Sequence, residues 1–451
     1  MRFWKKNLPA PTIFVGRFRN NGKMKRIEPI KKALRGDISV PGDKSIAHRA
    51  VILGSVAKGR SRILNLSGGD DNSRTVKAFR QMGVEIHRDG EALCVEGNGW
   101  AGIHQPDAAI NCGNSGTTMR LMSGLLAGRP FHSELDGDAS LRQRPMRRVI
   151  DPLGVMGAKI RSKGGDGLAP LEIDGGDLHG IDYHMPIASA QVKSAILLAA
   201  LQAEGTTTLE EPQKSRDHTE VMLRGFGAAI SRDCATITIN GGQSLTAQEV
   251  RIPGDISSAA FFLAAAAMIP GSDLFIRNVG CNPTRDGVIE VLRRMGASIE
   301  LLNERAEAGE RVADIHVTGG QLKGVDIGPE LVARTIDEYP ILSIVAAIAG
   351  GFTTFSDVKE LRYKESDRIA SMAEGLRQLG IEVEAGEDRM IIQGGQRFKA
   401  GAIKSYADHR VAMSFAIAGL CSDGGVEIDD VGCIDISFPG FFDLLGKICL
   451  H

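Results

Sequence analysis

Apolar and polar positions follow a pattern that returns six times along the chain. In each return, an Ala- and Leu-rich stretch of helical length precedes a short β-like run and then an amphipathic helix. That second helix ends in an apolar residue and a glycine, and alternating apolar residues follow. Glycine is typical there because the left-handed backbone that ends a helix disfavours a β-carbon. The six endings are Met82-Gly83, Met156-Gly157, Phe226-Gly227, Met295-Gly296, Leu379-Gly380 and Leu445-Gly446.

Each return predicts an α/β module of roughly 70 residues: helix, strand, helix and a pair of strands. Pro41-Gly42-Asp43 before the first module recurs as Pro253-Gly254-Asp255 before the fourth, which predicts paired crossovers between two lobes of three modules. The chain stops soon after Gly446, whereas 33–40 near its start has strand character. We therefore expect the start of the chain to complete the last module. The predicted lobes are 43–252 and a discontinuous 27–42 plus 253–451.

Composition excludes several classes of protein. The 451 residues include 54 Lys and Arg against 55 Asp and Glu, and only 5% are aromatic, which argues against a nucleic-acid-binding protein. The longest uninterrupted apolar run, 259–269, is well short of the ~20 residues that span a bilayer. Seven cysteines without a C-x-x-C pair favour a reducing cytosol, and the histidine spacing does not support a metal site.

The first 26 residues differ from the rest. They carry eight Lys and Arg and no acid, and they lack the apolar core of a secretory signal. The absence of serine disfavours an organelle transit peptide. We interpret residues 1–26 as a basic N-terminal extension, with Met24 as a possible alternative start.

Candidate chemistry lies at the predicted helix starts. Lys44, Ser45 and Arg49 fall within the first turn and a half of the first helix, and 113–120 opens the second module with small residues. Free N–H groups and the helix dipole bind phosphate or carboxylate at such places. The alternative is ordinary N-capping by Asp43, Ser45 or Asn114, and local sequence leaves the two readings about even.

Further cations recur where a module begins or turns. If these starts converge, a neutral chain acquires one positive cleft that suits two small polyanions. Arg147 and Arg148 are instead expected on the surface of the next helix. The recurring cations are Arg142, Arg144, Lys193, Arg216, Lys364, Arg368 and Arg410.

Two carboxylates accompany these cations. Asp337 opens the helix of the fifth module, and Glu365 lies between Lys364 and Arg368. In a cationic site Asp337 is a candidate general base. The alternatives are an N-cap for Asp337 and an ion pair between Glu365 and Arg368 within one helix, which local evidence modestly favours.

Eight motifs in order resemble the 5-enolpyruvylshikimate-3-phosphate synthase family, and the Ser-Ala-Gln-x-Lys and Arg-x-His-x-Glu variants resemble its class II branch. The resemblance runs from about Asp37 to Pro439. The motifs are Gly42-Asp43-Lys44-Ser45-x-x-His48-Arg49, Gly113-Asn114-x-Gly116-Thr117, Arg144-Pro145-Met146, Ser189-Ala190-Gln191-x-Lys193, Arg216-x-His218-x-Glu220, Asn282-Pro283-Thr284-Arg285, Lys364-Glu365-Ser366-Asp367-Arg368 and Asp408-His409-Arg410.

The resemblance implies two lobes of three βαβαββ units each, an inside-out α/β barrel that closes on its substrates. It implies transfer of the enolpyruvyl group of phosphoenolpyruvate to the 5-hydroxyl of shikimate-3-phosphate, with release of phosphate, in the shikimate pathway to chorismate and the aromatic amino acids. It also implies no metal or organic cofactor, no nucleic-acid or membrane partner, and a cytoplasmic monomer.

Residue roles are likewise implied by the matching motifs. Asp337 is the expected base at the 5-hydroxyl with Lys364 close by, Glu365 is the expected proton donor to the methylene carbon, and Lys44 contacts both substrates. The remaining contacts to shikimate-3-phosphate are Ser45, Arg49, Ser189, Ala190, Gln191 and Arg216, and those to phosphoenolpyruvate are Asn114, Gly116, Arg144, Arg368 and Arg410.

The sequence departs from the wider family at two positions. Ile436 stands where many relatives have a lysine before Ser-Phe-Pro, and Ala190 replaces a serine common in class I members. Gly116 leaves space for the phosphonate of glyphosate, so inhibition by glyphosate is expected.

Alternative functions are an enolpyruvyl transferase acting on UDP-N-acetylglucosamine, and a non-catalytic phosphometabolite-binding protein. The first is disfavoured because Ala139 stands where that family carries a reactive cysteine. Retention of both Asp337 and Glu365 argues against the second.

Overall fold

The computed structural model describes residues 18–21 and 24–449. Thirteen α-helices lie in this part of the chain. They are α1 (Lys44–Val56), α2 (Asp70–Gln81), α3 (Gly116–Ala127), α4 (Arg147–Val155), α5 (Ala190–Ala200), α6 (His218–Gly225), α7 (Ile256–Met268), α8 (Gly287–Arg294), α9 (Pro329–Thr335), α10 (Tyr339–Ile348), α11 (Arg368–Gln378), α12 (His409–Leu420) and α13 (Phe441–Cys449).

The strands described form six sheets of one design. In each, a first strand pairs in parallel with a second, and the second pairs antiparallel with the far strand of a hairpin. In that order, the first sheet contains β15 (Leu245–Thr246) and β16 (Glu249–Arg251), β4 (Ala57–Leu64), β6 (Ala92–Asn98) and β5 (Glu85–Asp89); the second contains β7 (Ile110–Asn111), β8 (His132–Asp136), β10 (Leu171–Asp174) and β9 (Lys159–Ser162). The third contains β11 (Asp182–His184), β12 (Thr206–Glu210), β14 (Thr236–Asn240) and β13 (Ile230–Asp233); the fourth contains β3 (Arg35–Ser39), β17 (Asp273–Gly280), β19 (Glu310–Thr318) and β18 (Ser298–Glu307). The fifth contains β20 (Asp326–Ile327), β21 (Phe352–Phe355), β23 (Met390–Gln393) and β22 (Val383–Ala385); the sixth contains β24 (Gly401–Ile403), β25 (Val426–Ile428), β2 (Met24–Ile27) and β1 (Phe18–Asn21).

Two separate hydrophobic cores hold these sheets together. One core draws its buried residues from 46–252, and the other from 27–40 and 256–449. The Ala- and Leu-rich helices of the repeat are the most deeply buried, and every residue of α7 is buried. A helix that is apolar on all sides belongs in a core, which explains why these segments lack a polar face. The fold is the predicted two-lobed α/β arrangement, and we call the two halves the first lobe and the second lobe.

The two Pro-Gly-Asp segments run side by side between the lobes. Gly42 pairs antiparallel with Gly254. The Asp43 N–H donates to the Pro253 carbonyl at 2.8 Å, and the Asp255 N–H donates to the Pro41 carbonyl at 2.9 Å. A β-carbon on Gly42 would lie 2.0 Å from the carbonyl oxygen of Asn65, the residue after β4, so the packing of this segment against the first lobe requires glycine.

The start of the chain completes the last module, but not through the expected segment. Strand β2 pairs antiparallel with β25 of the sixth sheet. Segment 33–40 was expected there, and its strand β3 pairs in parallel with β17 of the fourth sheet instead. Both segments have strand character, and only long-range pairing distinguishes them. Residues 18–21 and 24–26 of the expected extension therefore form strands, whereas 1–17 and 22–23 lie outside the described residues.

The glycine endings follow the prediction in five modules and depart from it in the sixth. Gly83, Gly157, Gly227, Gly296 and Gly380 adopt φ between 85° and 102°. Gly446 lies inside α13, which continues to Cys449, so it does not end a helix. The hairpin of this module precedes it in sequence, and up to Cys449, the last residue described, no strand follows Gly446.

Candidate functional site

Polar residues cap the helices at whose starts the candidate site residues lie. The Ile46 N–H donates to Asp43 at the start of α1 at 2.9 Å, and the Thr118 N–H donates to Ser115 at the start of α3 at 3.1 Å. Asp367 caps α11 and Asp408 caps α12 in the same way. The expected cap Asp43 is confirmed at α1, whereas Ser115 rather than Asn114 caps α3 and Ser45 lies inside α1, so the side chains of Ser45 and Asn114 are free of that role.

Asp337 lies among four cations from both lobes. Its carboxylate is 3.3 Å from Lys364 Nζ, 3.5 Å from Arg368 Nη1 and 3.9 Å from Arg410 Nη2. Arg216 of the first lobe donates to it directly. Asp337 does not cap α10, because the N-cap residue is Glu338 and no side chain performs the capping.

The charges around Asp337 determine its ionisation. Burial alone would raise the pKa of its carboxyl, but Arg216, Lys364 and Arg410 outweigh burial and hold the pKa well below its usual range. Burial lowers the pKa of Lys364 in turn. Asp337 is therefore an ionised carboxylate with the Lys364 ammonium group 3.3 Å away.

Glu365 forms the other acidic centre of the cleft. Arg368 Nη2 lies 2.7 Å from its carboxylate, and Arg144 of the first lobe lies 3.9 Å away. Arg368 is buried, and its Nε donates to Asp408 Oδ2 at 2.8 Å. Burial alone would raise the pKa of Glu365, but Arg368 and Arg144 outweigh burial and hold it well below its usual range. The Glu365–Arg368 ion pair is present, but Glu365 precedes the cap of α11, so the expectation that the pair lies within one helix is wrong.

Lys44 extends from the start of α1 to the boundary between the lobes. Its Nζ lies 2.9 Å from Asp71 Oδ2 and donates to Ser437 Oγ at 3.3 Å. Burial alone would lower the pKa of Lys44, but Asp71 and Glu365 outweigh burial and raise it. Lys44 is therefore a fixed positive charge at neutral pH.

The start of α3 forms a narrow wall of the cleft. A β-carbon on Gly116 would lie 3.1 Å from Arg120 Nη1 and 3.4 Å from Arg144 Nη1. Arg144 donates to the amide oxygen of Asn114, and Arg120 donates to the amide oxygen of Gln191. The lack of a side chain at Gly116 thus lets two guanidinium groups lie against the helix terminus.

Other predicted residues lie around the starts of α1 and α5. Arg49 is buried and donates to Thr219 Oγ1 at 2.6 Å, to Ser194 Oγ at 2.7 Å and to the Ser45 carbonyl at 2.9 Å. Burial lowers the pKa of Arg49 to about 10, so it stays protonated. Ser189 Oγ accepts from the Val192 N–H at 3.5 Å, and Ala190 begins α5.

Two of the recurring cations do not face the cleft. Lys193 is fully buried, 3.1 Å from Glu211 and 2.8 Å from Glu220. Arg142 lies on the surface and pairs with Asp136 at 2.5 Å. Sequence position alone does not distinguish a helix residue that faces the core from one that faces the cleft.

Sequence reasoning also omitted residues that the structure places in the site. Arg120 lies in the quoted 113–120 segment but was not assigned, and burial lowers its pKa to about 9. Asp71 lies in the first turn of α2. Acids are common near helix N-termini, so the sequence gives no signal that this one belongs to the site. Within 24–449, no cluster of His, Cys, Asp and Glu is placed to hold a metal ion. No helix in this range is both long and apolar enough to cross a membrane.

Cations and acids from both lobes thus form one continuous network between two cores, at the starts of the repeat helices. The sequence matches the family model of EPSP synthase (3-phosphoshikimate 1-carboxyvinyltransferase) over residues 29–445. The chain belongs to the EPSP synthase family.

Members of the EPSP synthase family cover this chain almost end to end. The 3-phosphoshikimate 1-carboxyvinyltransferase of Geobacter metallireducens is 51% identical over 417 residues, which cover 92% of this chain and 97% of that protein. The protein of the same name from Brevibacillus brevis is 48% identical, and the match covers 94% of this chain and 100% of that protein. The EPSP synthase structure from Acinetobacter baumannii superimposes with a TM-score of 0.85 at 45% identity, covering 95% of this chain and 98% of that one.

Proposed function

We propose that this chain transfers the enolpyruvyl group of phosphoenolpyruvate to the 5-hydroxyl of shikimate-3-phosphate and releases phosphate. The observation that carries this proposal is the pair of acids Asp337 and Glu365. Both come from the second lobe, and each contacts an arginine of the first lobe, Arg216 and Arg144 respectively. A reaction that moves one proton at oxygen and another at carbon needs two such groups in one cleft.

Shikimate-3-phosphate is assigned to the side of the cleft formed by α1, α5 and Arg216. The Arg216 guanidinium, now paired with Asp337, exchanges this partner for the substrate phosphate, which frees Asp337 to face the 5-hydroxyl. Phosphoenolpyruvate is assigned to the other side, against Arg144, Arg368 and Arg410. Planar guanidinium groups suit both ends of this substrate, because each binds a carboxylate or phosphate through two N–H groups.

The addition step requires both acids. Glu365 takes up a proton when the substrate anions bind and neutralise Arg368 and Arg144. The 5-hydroxyl oxygen then bonds to C2 of phosphoenolpyruvate, its proton passes to Asp337, and the C3 methylene takes the proton from Glu365 to become a methyl group. In the product of this step, C2 carries the two oxygens, the methyl group and the carboxylate. Lys364 holds the Asp337 carboxylate in place and balances its charge.

The elimination step regenerates the double bond. The bond between C2 and the phosphate oxygen breaks, and its electron pair leaves with phosphate. The Glu365 carboxylate removes a proton from the methyl group, and the electrons of that C–H bond form the new C2=C3 bond. The proton on Asp337 leaves with the phosphate, so both acids return to their initial state.

Closure of the lobes around both substrates supports this chemistry, since excluding water strengthens every charge contact. We propose that the lobes comprise 43–252 and 27–42 plus 253–451, in line with the two cores. We also propose that the enzyme works as a cytoplasmic monomer with these two small substrates, in aromatic amino acid biosynthesis, and that glyphosate inhibits it.

Phosphate release by the purified protein tests the proposal. We expect release only when phosphoenolpyruvate and shikimate-3-phosphate are both present, and none with UDP-N-acetylglucosamine as acceptor. Asp337→Asn is expected to abolish release while retaining the fold. Binding of both compounds without turnover would establish a non-catalytic binding protein, and turnover with the nucleotide sugar would establish the alternative transferase.

A further inference from the structure

Lys44 is held from two lobes at once. Asp71 of the first lobe lies 2.9 Å from its ammonium group, and Ser437 of the second lobe accepts a hydrogen bond from it at 3.3 Å. The lysine and aspartate side chains are largely buried, at 24% and 13% exposure. An ammonium group has three N–H donors, so these two partners leave one for a ligand.

The backbones of the two lobes approach each other closely beside this lysine. A β-carbon on Gly69, just before α2, would lie 2.6 Å from the carbonyl oxygen of Ile436. Gly69 has φ −65° and ψ 152°, which any residue adopts, so its only distinctive constraint is this contact. A β-carbon on the adjacent Gly68 would meet no atom within 4 Å.

These two features act on the same point. Ile436 and Ser437 are consecutive, so the carbonyl that meets Gly69 and the hydroxyl that meets Lys44 move together. Because residue 436 is an isoleucine, Lys44 is the residue that supplies a positive charge where Ile436 and Ser437 meet the first lobe. A lysine on a flexible four-carbon chain needs fixed acceptors to hold one direction.

We propose that Asp71 and Ser437 are positioning residues that hold the Lys44 ammonium across the cleft, and that the Gly69–Ile436 contact sets the lobe separation at which Ser437 reaches it. This proposal rests on the proposed function, because that function assigns Lys44 to both substrates. Lys44 is then fully held only when the lobes are at this separation.

The glycine pair provides a matched test. Gly69→Ala is expected to lower kcat/KM for phosphoenolpyruvate by roughly a hundredfold, since a displacement of about 1 Å in a substrate-binding group has this effect. Gly68→Ala adds the same methyl group one residue away and is expected to leave kcat/KM unchanged. Equal thermal midpoints for the two variants would show that the fold is intact.

Ser437 is tested by its hydroxyl group. Ser437→Ala is expected to lower kcat/KM for phosphoenolpyruvate by roughly tenfold, the usual effect of losing a hydrogen bond to a charged group. Ser437→Thr keeps the hydroxyl and is expected to restore most of the loss. Alanine and threonine variants that both match the unsubstituted enzyme would overturn the role of Ser437.

A distance measurement tests the lobe separation without turnover. Spin labels are placed on Cys234, the exposed cysteine of the first lobe, and on the highly exposed position 397 of the second lobe through Arg397→Cys. We expect Gly69→Ala to lengthen the distance between the labels and Gly68→Ala to leave it unchanged. Identical distances in the two variants would overturn the inference.

The two proposals fail in different ways. An unsubstituted enzyme that releases no phosphate would refute the proposed function, and the label distances would still judge the Gly69–Ile436 contact. An active enzyme in which both glycine variants behave alike would refute the inference and leave the function standing.

Discussion

At residue scale, the cleft depends on a glycine, which has no side chain, as well as on its charged side chains. Gly116 lets Arg120 and Arg144 lie against the start of α3, within 3.4 Å of where a β-carbon would stand. Asp337 and Glu365 are ionised because arginine and lysine charges outweigh the cost of burial. Each of these local balances gives a measurable expectation.

Gly116→Ala is expected to weaken inhibition by glyphosate roughly tenfold, since overpacking costs about 1–3 kcal/mol. The new methyl group displaces Arg120, whose Nη1 would lie 3.1 Å away, by a few tenths of an ångström, and it fills the space expected beside the phosphonate. Inhibition constants measured against phosphoenolpyruvate test this. Gly154→Ala on the open face of α4 is the control, because no atom lies within 4 Å of its β-carbon. An unchanged inhibition constant in Gly116→Ala would contradict this placement.

Binding of phosphoenolpyruvate is expected to take up a proton at Glu365. The pKa of this group is low in the free cleft because of Arg368 and Arg144, and the bound anions neutralise those charges, so the pKa rises on binding. A group whose pKa rises on binding takes up a proton, and affinity increases as pH falls through that range. Calorimetry in buffers of different ionisation enthalpy measures the uptake. Glu365→Gln is expected to abolish it, and equal uptake in that variant would refute the role of Glu365.

At element scale, the crossovers bring helix starts from both lobes to one buried arginine. Arg285 Nη1 lies 3.5 Å from Asp43, the cap of α1, and its Nη2 lies 3.4 Å from Asp255, the cap of α7. Arg285 also donates to Ser257 Oγ at 2.7 Å. Arg285 therefore joins the N-termini of α1 and α7, beside the crossovers, as the counter-ion of both cap residues.

Arg285→Met is expected to destabilise the protein by about 3–5 kcal/mol, because two buried carboxylates lose their shared partner. Adding Asp255→Asn is expected to recover part of this loss, since it removes one of the unpaired charges. Chemical denaturation measures both effects. Arg142→Ala breaks an exposed ion pair and is expected to leave the free energy of unfolding nearly unchanged. Equal losses for Arg285→Met and Arg142→Ala would show that the ion pairs of Arg285 add no stability.

At the scale of the whole molecule, the active cleft exists only between the lobes. Arg216 reaches Asp337 across the interface, and Arg148 reaches Glu360 at 3.5 Å. The Glu310 and His218 side chains meet at 2.8 Å across the same boundary, close to the crossovers. Substrates that bind here compete with, and replace, contacts between the lobes.

Arg216→Ala is expected to weaken binding of shikimate-3-phosphate by about 2–5 kcal/mol, the range for truncating one partner of a close charge pair. Calorimetry with shikimate-3-phosphate alone measures this without turnover. Arg161→Ala removes an exposed arginine of the first lobe, outside the cleft, and serves as the control. An affinity that Arg216→Ala leaves unchanged would place the substrate phosphate elsewhere.

The sequence by itself determined the features that depend on local order. Neighbouring residues alone predict the repeat, the paired crossovers and the capped helix starts, because helix ends and turns depend on local backbone preferences. They also contain the motifs around Lys44, Arg144, Asp337 and Glu365.

Tertiary structure decided what depends on distant partners. It assigned β3 to the fourth sheet and β2 to the sixth, continued α13 past Gly446, and buried Lys193 among glutamates. It also brought Ser437 to Lys44, which lies 393 residues away in sequence. Strand pairing and contacts between lobes are selected by the packing of the whole chain, and no local pattern specifies which of several suitable segments is chosen.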